Sequence, residues 1–438
     1  MTDKEAFFGR QLPFRAAPAP DLTATPALKA LGSRLQCQRC GHWLGPTDRL
    51  ANQAWYCRQC LQLGRLTSQH KLYTIPEPNQ LPKLANGGLT WDGELSAQQQ
   101  VAAQSVLAHV QSQTNHLLWA VTGAGKTEIV YPALAWALGQ GWRVAWTSPR
   151  VDVCLELAPR LQSAFADVPQ TVLYGNQPQP YRYCPLTICT THQLLRFQAA
   201  FDLIVVDEVD AFPLATSPML KRAIDHAQKP TGCHLLLTAT PGEGLQKRVA
   251  RKTLAVTYVP LRYHGHLLPQ IDLQIAWRWR EQLGHGRLPL RLIRQLRAYQ
   301  QAGQRFLLFV PHVADLALVD RALHRAGIAG GVTVHAADES RQEKVQAMRD
   351  RQVSFLVTTT ILERGVTFPN VAVVILGGDD PVFSTAALVQ IAGRVGRSAQ
   401  FPTGEVTSYC HSYTRRVRLA RGMIARLNLQ GRRQGGRP

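Results

Sequence analysis

The sequence predicts an α/β protein with two tandem lobes built on parallel sheets, preceded by a small module that contains four cysteines. Three observations support this fold class. Short apolar runs alternate with helical stretches, the alternation occurs in two successive series, and the four cysteines form two closely spaced pairs ahead of both series. At 438 residues the chain is too long for one ordinary core, so two or three domains are expected.

Composition favours a polyanionic partner. The chain has 49 Lys and Arg against 29 Asp and Glu, a net charge of +20, which suits nucleic acid or an anionic membrane surface. No apolar run of about 18 residues and no leader-like N-terminus is present, so we expect a cytoplasmic protein. An odd number of cysteines, nine, argues against a disulfide framework in such a protein.

Composition and pattern divide the chain into segments. Residues 1–34, rich in Pro and Ala, are predicted to be a flexible arm with little to bury. The other predicted segments are the four-cysteine module 35–75, a linker 76–90, the first lobe 91–262, a connection 263–284 and the second lobe 285–438. The last 24 residues, 415–438, hold eight Arg and no acid, and they predict a basic helix up to Leu429 with a frayed end.

Ten short runs are the predicted strands of the two lobes. Those of the first lobe are HLLWAV, RVAWTSP, TVLYG, LTICT, LIVVDE and HLLLTAT, and those of the second lobe are RFLLFV, GVTVHA, FLVTTT and VAVVILG. Functional residues of open parallel sheets lie where strands end and helices begin. We therefore expect the motifs of this chain to cluster at the carboxyl edge of each sheet.

A glycine-rich segment, AVTGAGKT at residues 120–127, follows the first strand and begins a helical stretch, as in a Walker A loop. Ala120 stands where the strict pattern has Gly. Backbone N–H groups of such a loop surround phosphate oxygens, its Lys neutralises the β- and γ-phosphates, and its Thr ligates Mg²⁺. The predicted ATP- and Mg²⁺-binding residues are Thr122, Gly123, Ala124, Gly125, Lys126 and Thr127, with Lys126 also catalytic.

The matching carboxylates lie in LIVVDEVD, where an apolar strand ends at Asp207 and Glu208. Asp207 is predicted to hold Mg²⁺ through water, and Glu208 to polarise the attacking water as general base. A DE pair alone is usually a solvated strand end, but together with a Walker A loop it indicates a nucleotide hydrolase.

The order of the motifs resembles superfamily 2 helicases, whose core consists of two RecA-like lobes. The resemblance implies that Gln98 reads adenine, with Gln99 and Gln100 as neighbouring alternatives. It also implies that SPR (residues 148–150), THQ (191–193), TAT (238–240) and TTT (358–360) face nucleic acid. The residues assigned to nucleic acid are Pro149, Arg150, Thr191, His192, Thr240, Thr359 and Thr360.

In the second lobe, TTTILERGV (358–366) resembles motif V and QIAGRVGR (390–397) resembles motif VI of the same superfamily. The resemblance implies that Gly365 contributes to the nucleotide site. Arg397 would be the arginine finger that stabilises the transition-state charge on the γ-phosphoryl group, and Arg394 would support it through the γ-phosphate.

Four cysteines, in Cys37-x-x-Cys40 and Cys57-x-x-Cys60, have the spacing of a zinc ribbon or knuckle. Four thiolates close the coordination of one structural Zn²⁺ and leave His42 unneeded. Basic and aromatic neighbours would give the module a face for single-stranded DNA, although Trp55 and Tyr56 suit its small core better. Those neighbours are Arg39, Arg58, Arg65, Lys71, Trp43, Trp55 and Tyr56.

The arrangement of a four-cysteine module, a DEVD motif, two lobes and a basic tail resembles the ComFA family of late-competence ATPases in naturally transformable Gram-positive bacteria. The resemblance implies ATP-powered import of single-stranded transforming DNA at the membrane channel ComEC, with ComFC and DprA as partners. It allows an oligomer, and a peripheral position at the inner face of the cell membrane held through a partner.

Three other functions are compatible with parts of the sequence. A replication-restart helicase of the PriA type is the main alternative, but that family typically carries eight zinc-binding cysteines and a larger N-terminal domain. A non-enzymatic single-strand-binding scaffold is disfavoured because Lys126, Asp207, Glu208 and Arg397 are all present. A DEAD-box RNA helicase is disfavoured by the DEVD motif and the zinc module.

Overall fold

The computed structural model of the chain describes residues 3–175, 177–363 and 368–437. The chain forms two compact units, one made of residues 1–119 and 126–258 and the other of residues 120–125 and 259–438. Within the described ranges, no helix is both long and apolar enough to cross a lipid bilayer.

Seven short strands build the N-terminal part of the first unit. They are β1 (Leu12–Phe14), β2 (Thr23–Pro26), β3 (Leu28–Leu31), β4 (Arg34–Cys37), β5 (Tyr56–Cys57), β6 (Leu66–Thr67) and β7 (Lys71–Thr74). β7 lies between β1 and β2 in an antiparallel sheet, and two hairpins pair β3 with β4 and β5 with β6.

The prediction of a flexible arm over residues 1–34 is wrong. Three strands lie in this segment, and Phe7, Gln11 and Ala27 are buried. Gln11 Nε2 donates to the Leu195 carbonyl at 3.1 Å, which ties the segment to the rest of the first unit. The partner of β1 and β2 is β7, which is distant in sequence, so local Pro- and Ala-rich composition gave no sign of the sheet.

A buried ion pair lies at the start of the predicted linker. Glu77 forms an ion pair with Arg143 at 2.5 Å, and the exposed fractions of the two side chains are 2% and 0%. The Tyr183 hydroxyl donates to the other carboxylate oxygen of Glu77, and an Arg143 nitrogen donates to the Tyr181 hydroxyl. The linker is therefore fixed to the first unit at its start.

A seven-stranded sheet with flanking helices forms the main body of the first unit. Its elements are α1 (Ala97–Gln111), β8 (His116–Ala120), α2 (Lys126–Gly139), β9 (Val144–Ser148), α3 (Val151–Ala164), β10 (Gln170–Leu173), β11 (Leu186–Thr190), β12 (Phe201–Val206), α4 (Pro218–Ala227), β13 (Gln228–Thr238), α5 (Glu243–Ala250) and β14 (Ala255–Val259). The strand order is β10-β11-β9-β12-β13-β8-β14, and pairing is parallel from β10 to β8.

The central strands of this sheet are buried on both faces, as β9 and β11 illustrate at every position. Such continuous burial is typical of parallel sheets covered by helices on both sides. All six predicted strands of the first lobe are present.

The second unit contains a six-stranded parallel sheet. Its elements are β15 (Ile271–Ile275), α6 (Trp279–Gly284), α7 (Leu290–Gln301), β16 (Arg305–Phe309), α8 (Val313–Arg325), β17 (Gly331–Val334), α9 (Arg341–Arg349), β18 (Phe355–Thr358), β19 (Val371–Leu376), α10 (Thr385–Ala392), β20 (Val406–Cys410) and α11 (Arg415–Arg433). The strand order is β15-β20-β19-β16-β18-β17. Residues 271–284, assigned to a connection from the sequence, instead form β15 and α6 of this unit.

The basic tail is an integral helix of the second unit. Val417, Ala420, Ile424 and Leu427 on one face of α11 are buried, whereas most of its Arg side chains are exposed. The Asn428 side chain bonds both the N–H and the carbonyl of Leu268 at 2.9 Å. The predicted fraying after Leu429 is wrong, because α11 continues to Arg433 and the Arg437 backbone then pairs with Gly265 and Leu267.

Candidate active site and metal centre

Five neighbouring strands of the seven-stranded sheet, in the order β11-β9-β12-β13-β8, are each followed by a motif at the carboxyl end. The Walker A loop follows β8, Pro149 and Arg150 follow β9, and Thr191 and His192 follow β11. Asp207 and Glu208 follow β12, and Thr240 follows β13. The expected placement of motifs at the carboxyl ends of the strands is confirmed for this sheet.

The Walker A loop needs its glycines. Gly123 and Gly125 have φ angles of +84° and +75°, in the left-handed region that favours glycine. Ala120, by contrast, is the last residue of β8, where extended backbone accepts a side chain in place of the Gly of the strict pattern. Lys126 begins α2, so the loop leads directly into a helix N-terminus, where anions are stabilised.

The carboxylate pair sits on a constrained turn. The Asp207 N–H donates to the Thr147 carbonyl at 2.8 Å, which fixes the turn to β9, and the Glu208 N–H donates to Asp207 Oδ1 at 2.8 Å. Glu208 has a φ of +52°, which is uncommon for a residue other than glycine. Such conformations are kept by the surrounding fold and are frequent at functional sites.

Asp210, which sequence reasoning missed, links two of the motifs. Its carboxylate accepts hydrogen bonds from the hydroxyls of Thr238 at 2.5 Å and Thr240 at 2.6 Å. The end of β13 is thereby tied to the turn that carries Asp207 and Glu208. The only signal in the sequence was the last letter of DEVD, three residues after Asp207.

The residues assigned to nucleic acid divide by burial. Pro149, Thr191, Thr240 and Thr359 are buried, whereas Arg150, His192 and Thr360 are half-buried. The Thr191 hydroxyl accepts from Thr147 at 3.2 Å, so it already has a partner within the lobe. Burial lowers the pKa of His192, which makes this ring a neutral hydrogen-bonding group at neutral pH.

The three candidate glutamines also differ. Gln99 is buried and forms a capping box with Ser96 at the start of α1, accepting from the Ser96 N–H at 2.9 Å. Gln100 Nε2 donates to the Leu95 carbonyl at 3.0 Å. The side chains of Gln99 and Gln100 thus bond at the start of α1, and the assignment of the adenine to Gln98 stays a prediction.

In the second unit, motifs V and VI meet through Arg394. This side chain is 1% exposed, and its Nε donates to the Glu363 carbonyl at 3.0 Å. Arg397 is half-buried, and its Nε donates to the Gly393 carbonyl at 3.1 Å. Gly365 lies outside the described residues.

A second residue missed from the sequence, Arg262, supports the loop that carries Arg397. Its Nη1 donates to the carbonyls of Gly396 at 2.5 Å and Pro402 at 3.2 Å, and the side chain is fully buried. Burial, together with the positive charge of Arg397, lowers the pKa of Arg262 to about 9. No motif spacing marked this residue, because its partners lie far along the chain.

The four cysteines converge as a metal site requires. Their sulfur atoms lie within 4.8 Å of one another, and all four residues are buried. The Sγ atoms of Cys37 and Cys60 are 3.8 Å apart, and those of Cys40 and Cys57 are 3.4 Å apart. Four sulfurs at about 2.3 Å from zinc in a tetrahedron would be separated by about 3.8 Å. The set therefore fits one Zn²⁺.

Arg39 belongs to this centre and not to an exposed basic face, which corrects the sequence interpretation. The side chain is 0% exposed, and its Nε donates to Cys60 Sγ at 3.3 Å. Its Nη2 donates to the carbonyls of Cys60 and Gly64. A guanidinium in this place would offset part of the negative charge of four thiolates that hold a metal. His42 lies near Asp48, at 3.6 Å, and is not part of the cysteine cluster.

The two parallel-sheet lobes and their motifs define a helicase-like ATPase of superfamily 2. Residues 96–247 match the DEAD/DEAH box helicase family, and residues 289–399 match the helicase conserved C-terminal domain. Residues 4–74 match the competence protein ComFA N-terminal domain. The chain belongs to the ComFA family of competence proteins.

Two ComFA proteins are similar to the chain over most of its length. The chain is 37% identical to that of Bacillus subtilis (strain 168), covering 93% of this chain and 88% of the relative. It is 38% identical to that of Streptococcus pneumoniae (strain ATCC BAA-255 / R6), covering 87% of each. The ATP-dependent DNA helicase RecG of Streptococcus pneumoniae serotype 4 (strain ATCC BAA-334 / TIGR4) is 26% identical over 69% of this chain and 47% of its own.

Solved helicase structures share the fold. Saccharomyces cerevisiae Dbp5 bound to RNA and ADP BeF3 has a TM-score of 0.54 at 13% identity, covering 76% of this chain and 91% of its own. The DEAD-box helicase Mss116 bound to ssRNA and UDP-BeF has a TM-score of 0.56 at 16% identity, covering 72% and 70%.

Proposed function

We propose that this protein hydrolyses ATP to move along single-stranded DNA and so drives transforming DNA into the cytoplasm during natural competence. Asp210 is the observation that carries the proposal. It joins the turn of Asp207 and Glu208 to the segment 238–240, which the superfamily uses to couple hydrolysis to its strand track.

In the proposed reaction, the loop N–H groups and Lys126 bind the phosphates of ATP, and Gln98 holds the adenine. Mg²⁺ would be held by Thr127 and Asp207 and would neutralise phosphate charge. Glu208 orients water and accepts its proton as that water attacks the γ-phosphoryl group.

Arg394 and Arg397 stabilise the charge on the transferring phosphoryl group. Arg262 holds the Gly396 carbonyl and so limits the freedom of the loop that carries Arg397.

The remaining parts of the proposal concern structure and partners. The four thiolates would hold one Zn²⁺, which closes the N-terminal module and leaves no open position for chemistry. ComFC, DprA and the channel ComEC are proposed partners, and through them the protein would sit at the inner face of the cell membrane.

Steady-state ATPase activity tests the proposal. The purified protein is assayed alone and with single-stranded DNA, duplex DNA, single-stranded RNA or forked duplex at matched salt. Stimulation chiefly by single-stranded DNA without fork unwinding is expected. Greater stimulation by forks, with unwinding, would favour a restart helicase over an import motor. Greater stimulation by RNA would contradict the assignment of DNA as the substrate.

A further inference from the structure

A groove in the second unit, used by none of the motifs, runs between α11 and the edge strand β15. It has a volume of about 370 Å³, and we call it the α11 groove. Its lining includes Gln270, Ile271, Tyr413, Arg418 and Arg421. All the lining residues belong to the second unit.

The α11 groove is strongly basic. Arg418 and Arg421 are exposed, and within the described ranges neither guanidinium forms an ion pair. No acidic residue follows Glu405 in the sequence. Asp272 follows Ile271 on β15 but is not among the residues that line the groove. Two uncompensated guanidinium groups indicate an anionic ligand.

Exposed aromatic rings accompany this charge. Tyr413 is 49% exposed and lines the groove itself. Trp277 is 65% exposed and stacks on His411, with ring centroids 4.7 Å apart, just beyond the ends of β15 and β20. Guanidinium groups that contact phosphate, next to aromatic faces that stack on bases, are the combination used by proteins that bind single strands.

We propose that the α11 groove binds single-stranded nucleic acid, with Arg418 and Arg421 on successive phosphates and Tyr413 stacked on a base. The inference rests on the proposed function and adds to it a strand contact outside the helicase motifs. An anionic membrane fits less well, because Val417 and Ile424 of α11 are packed inside the unit, and the exposed Leu419 and Leu429 offer a bilayer only a small apolar surface.

The test compares two double variants on the same helix. Arg418→Gln with Arg421→Gln removes the charge of the groove, while Arg426→Gln with Arg433→Gln removes the same charge from exposed positions that do not line it. Affinity for a labelled oligothymidylate of about 15 nucleotides is measured over a range of salt. We expect the groove variant to bind about tenfold more weakly and its log–log salt slope to fall by about 1.4, because two phosphate contacts are lost.

Tyr413 provides a second arm that does not depend on charge. Tyr413→Ala should weaken binding about tenfold, and Tyr413→Trp should restore it, since stacking needs only an aromatic face. Basal ATPase activity without DNA should be unchanged in every variant.

Equal losses of DNA affinity in the two double variants would overturn the assignment of the strand to the α11 groove. The proposed function would be unaffected, because it is tested by the DNA-stimulated ATPase of the unaltered protein. Loss of binding to phosphatidylglycerol-rich vesicles with unchanged DNA affinity would reassign the groove to lipid headgroups and overturn the proposal. An absence of DNA-stimulated ATPase in the unaltered protein would instead contradict the proposed function.

Discussion

Lys126 is the first residue of α2 and directly follows Gly125, whose left-handed conformation sets the direction of the loop. Replacing it by Ala removes the ammonium group that neutralises the β- and γ-phosphates. We expect Lys126→Ala to lower the ATPase rate by at least about 100-fold without changing thermal stability. Lys247→Ala, on the exposed surface of α5, is the matched control. Normal turnover in Lys126→Ala would contradict the Walker A assignment.

His116 predicts a pH dependence of stability. Its ring is buried, Nε2 lies 2.9 Å from Thr257 Oγ1, and the ring stacks on His109 at 4.0 Å. Burial, and secondarily the charge of His109, lowers the pKa of His116 to about 3 from an ordinary 6.5. The unfolded chain therefore binds more protons, so this contribution to stability is complete above pH 6.5 and declines as the pH falls towards 3.

Replacement of His116 by Phe should accordingly reduce the fall in Tm between pH 7 and pH 5. The fall should persist in part, because burial also lowers the pKa of His234 to about 4. Equal falls in the variant and the unaltered protein would exclude His116 as a source of acid sensitivity.

Functional residues could be predicted from the sequence where the residues that act together lie close along the chain. The Walker A loop, the Asp207–Glu208 pair and the four cysteines are of this kind. Asp210, Arg262 and Arg39 were missed or misplaced, because their roles depend on side-chain partners that only the folded chain brings near.

At the level of elements, the cysteine hairpins allow a direct metal test. Cys57→Ser with Cys60→Ser should release about one zinc per chain and increase proteolysis of residues 3–75, since metal binding contributes folding free energy to small sites. The control variant Cys184→Ala, which removes a buried cysteine outside the cluster, should leave the zinc content of the protein unchanged. Zinc content is measured by mass spectrometry. Unchanged zinc in the double variant would refute this ligand set.

The parallel strands were predictable because each is a short apolar run that local sequence defines. The N-terminal strands β1 and β2 were not, since each consists of three or four residues, none of them fully buried, that pair with β7 far along the chain. Edge strand β15 was missed for a similar reason, as only Ile271 in it is fully buried.

At the scale of the whole molecule, the basic tail packs an apolar face into the second unit and also carries the exposed arginines proposed to bind nucleic acid. A deletion would remove both at once. Removing residues from Arg415 onward would expose the part of the second unit that Val417, Ile424 and Leu427 cover. Each buried aliphatic side chain stabilises by roughly 1.5–3 kcal/mol, so this loss is a large share of a typical stability of about 5–15 kcal/mol.

We therefore expect truncation before Arg415 to give a protein whose second unit is rapidly proteolysed. Truncation after Arg433, which keeps all of α11, should remain resistant. Limited proteolysis with mass mapping distinguishes the two, and resistance of the shorter protein would show that α11 is dispensable for folding.

The buried pair of Glu77 and Arg143 has a consequence for building chimaeras between relatives. A lone charge left in that site costs several kcal/mol, so one partner cannot be exchanged without the other. A graft that joins the N-terminal module of one relative to the lobe of another tolerates a junction beyond Glu77 only if both parents carry compatible partners. Within this family, recombinants that exchange only one of the two positions would be destabilised in the same way. The two positions would therefore be inherited together.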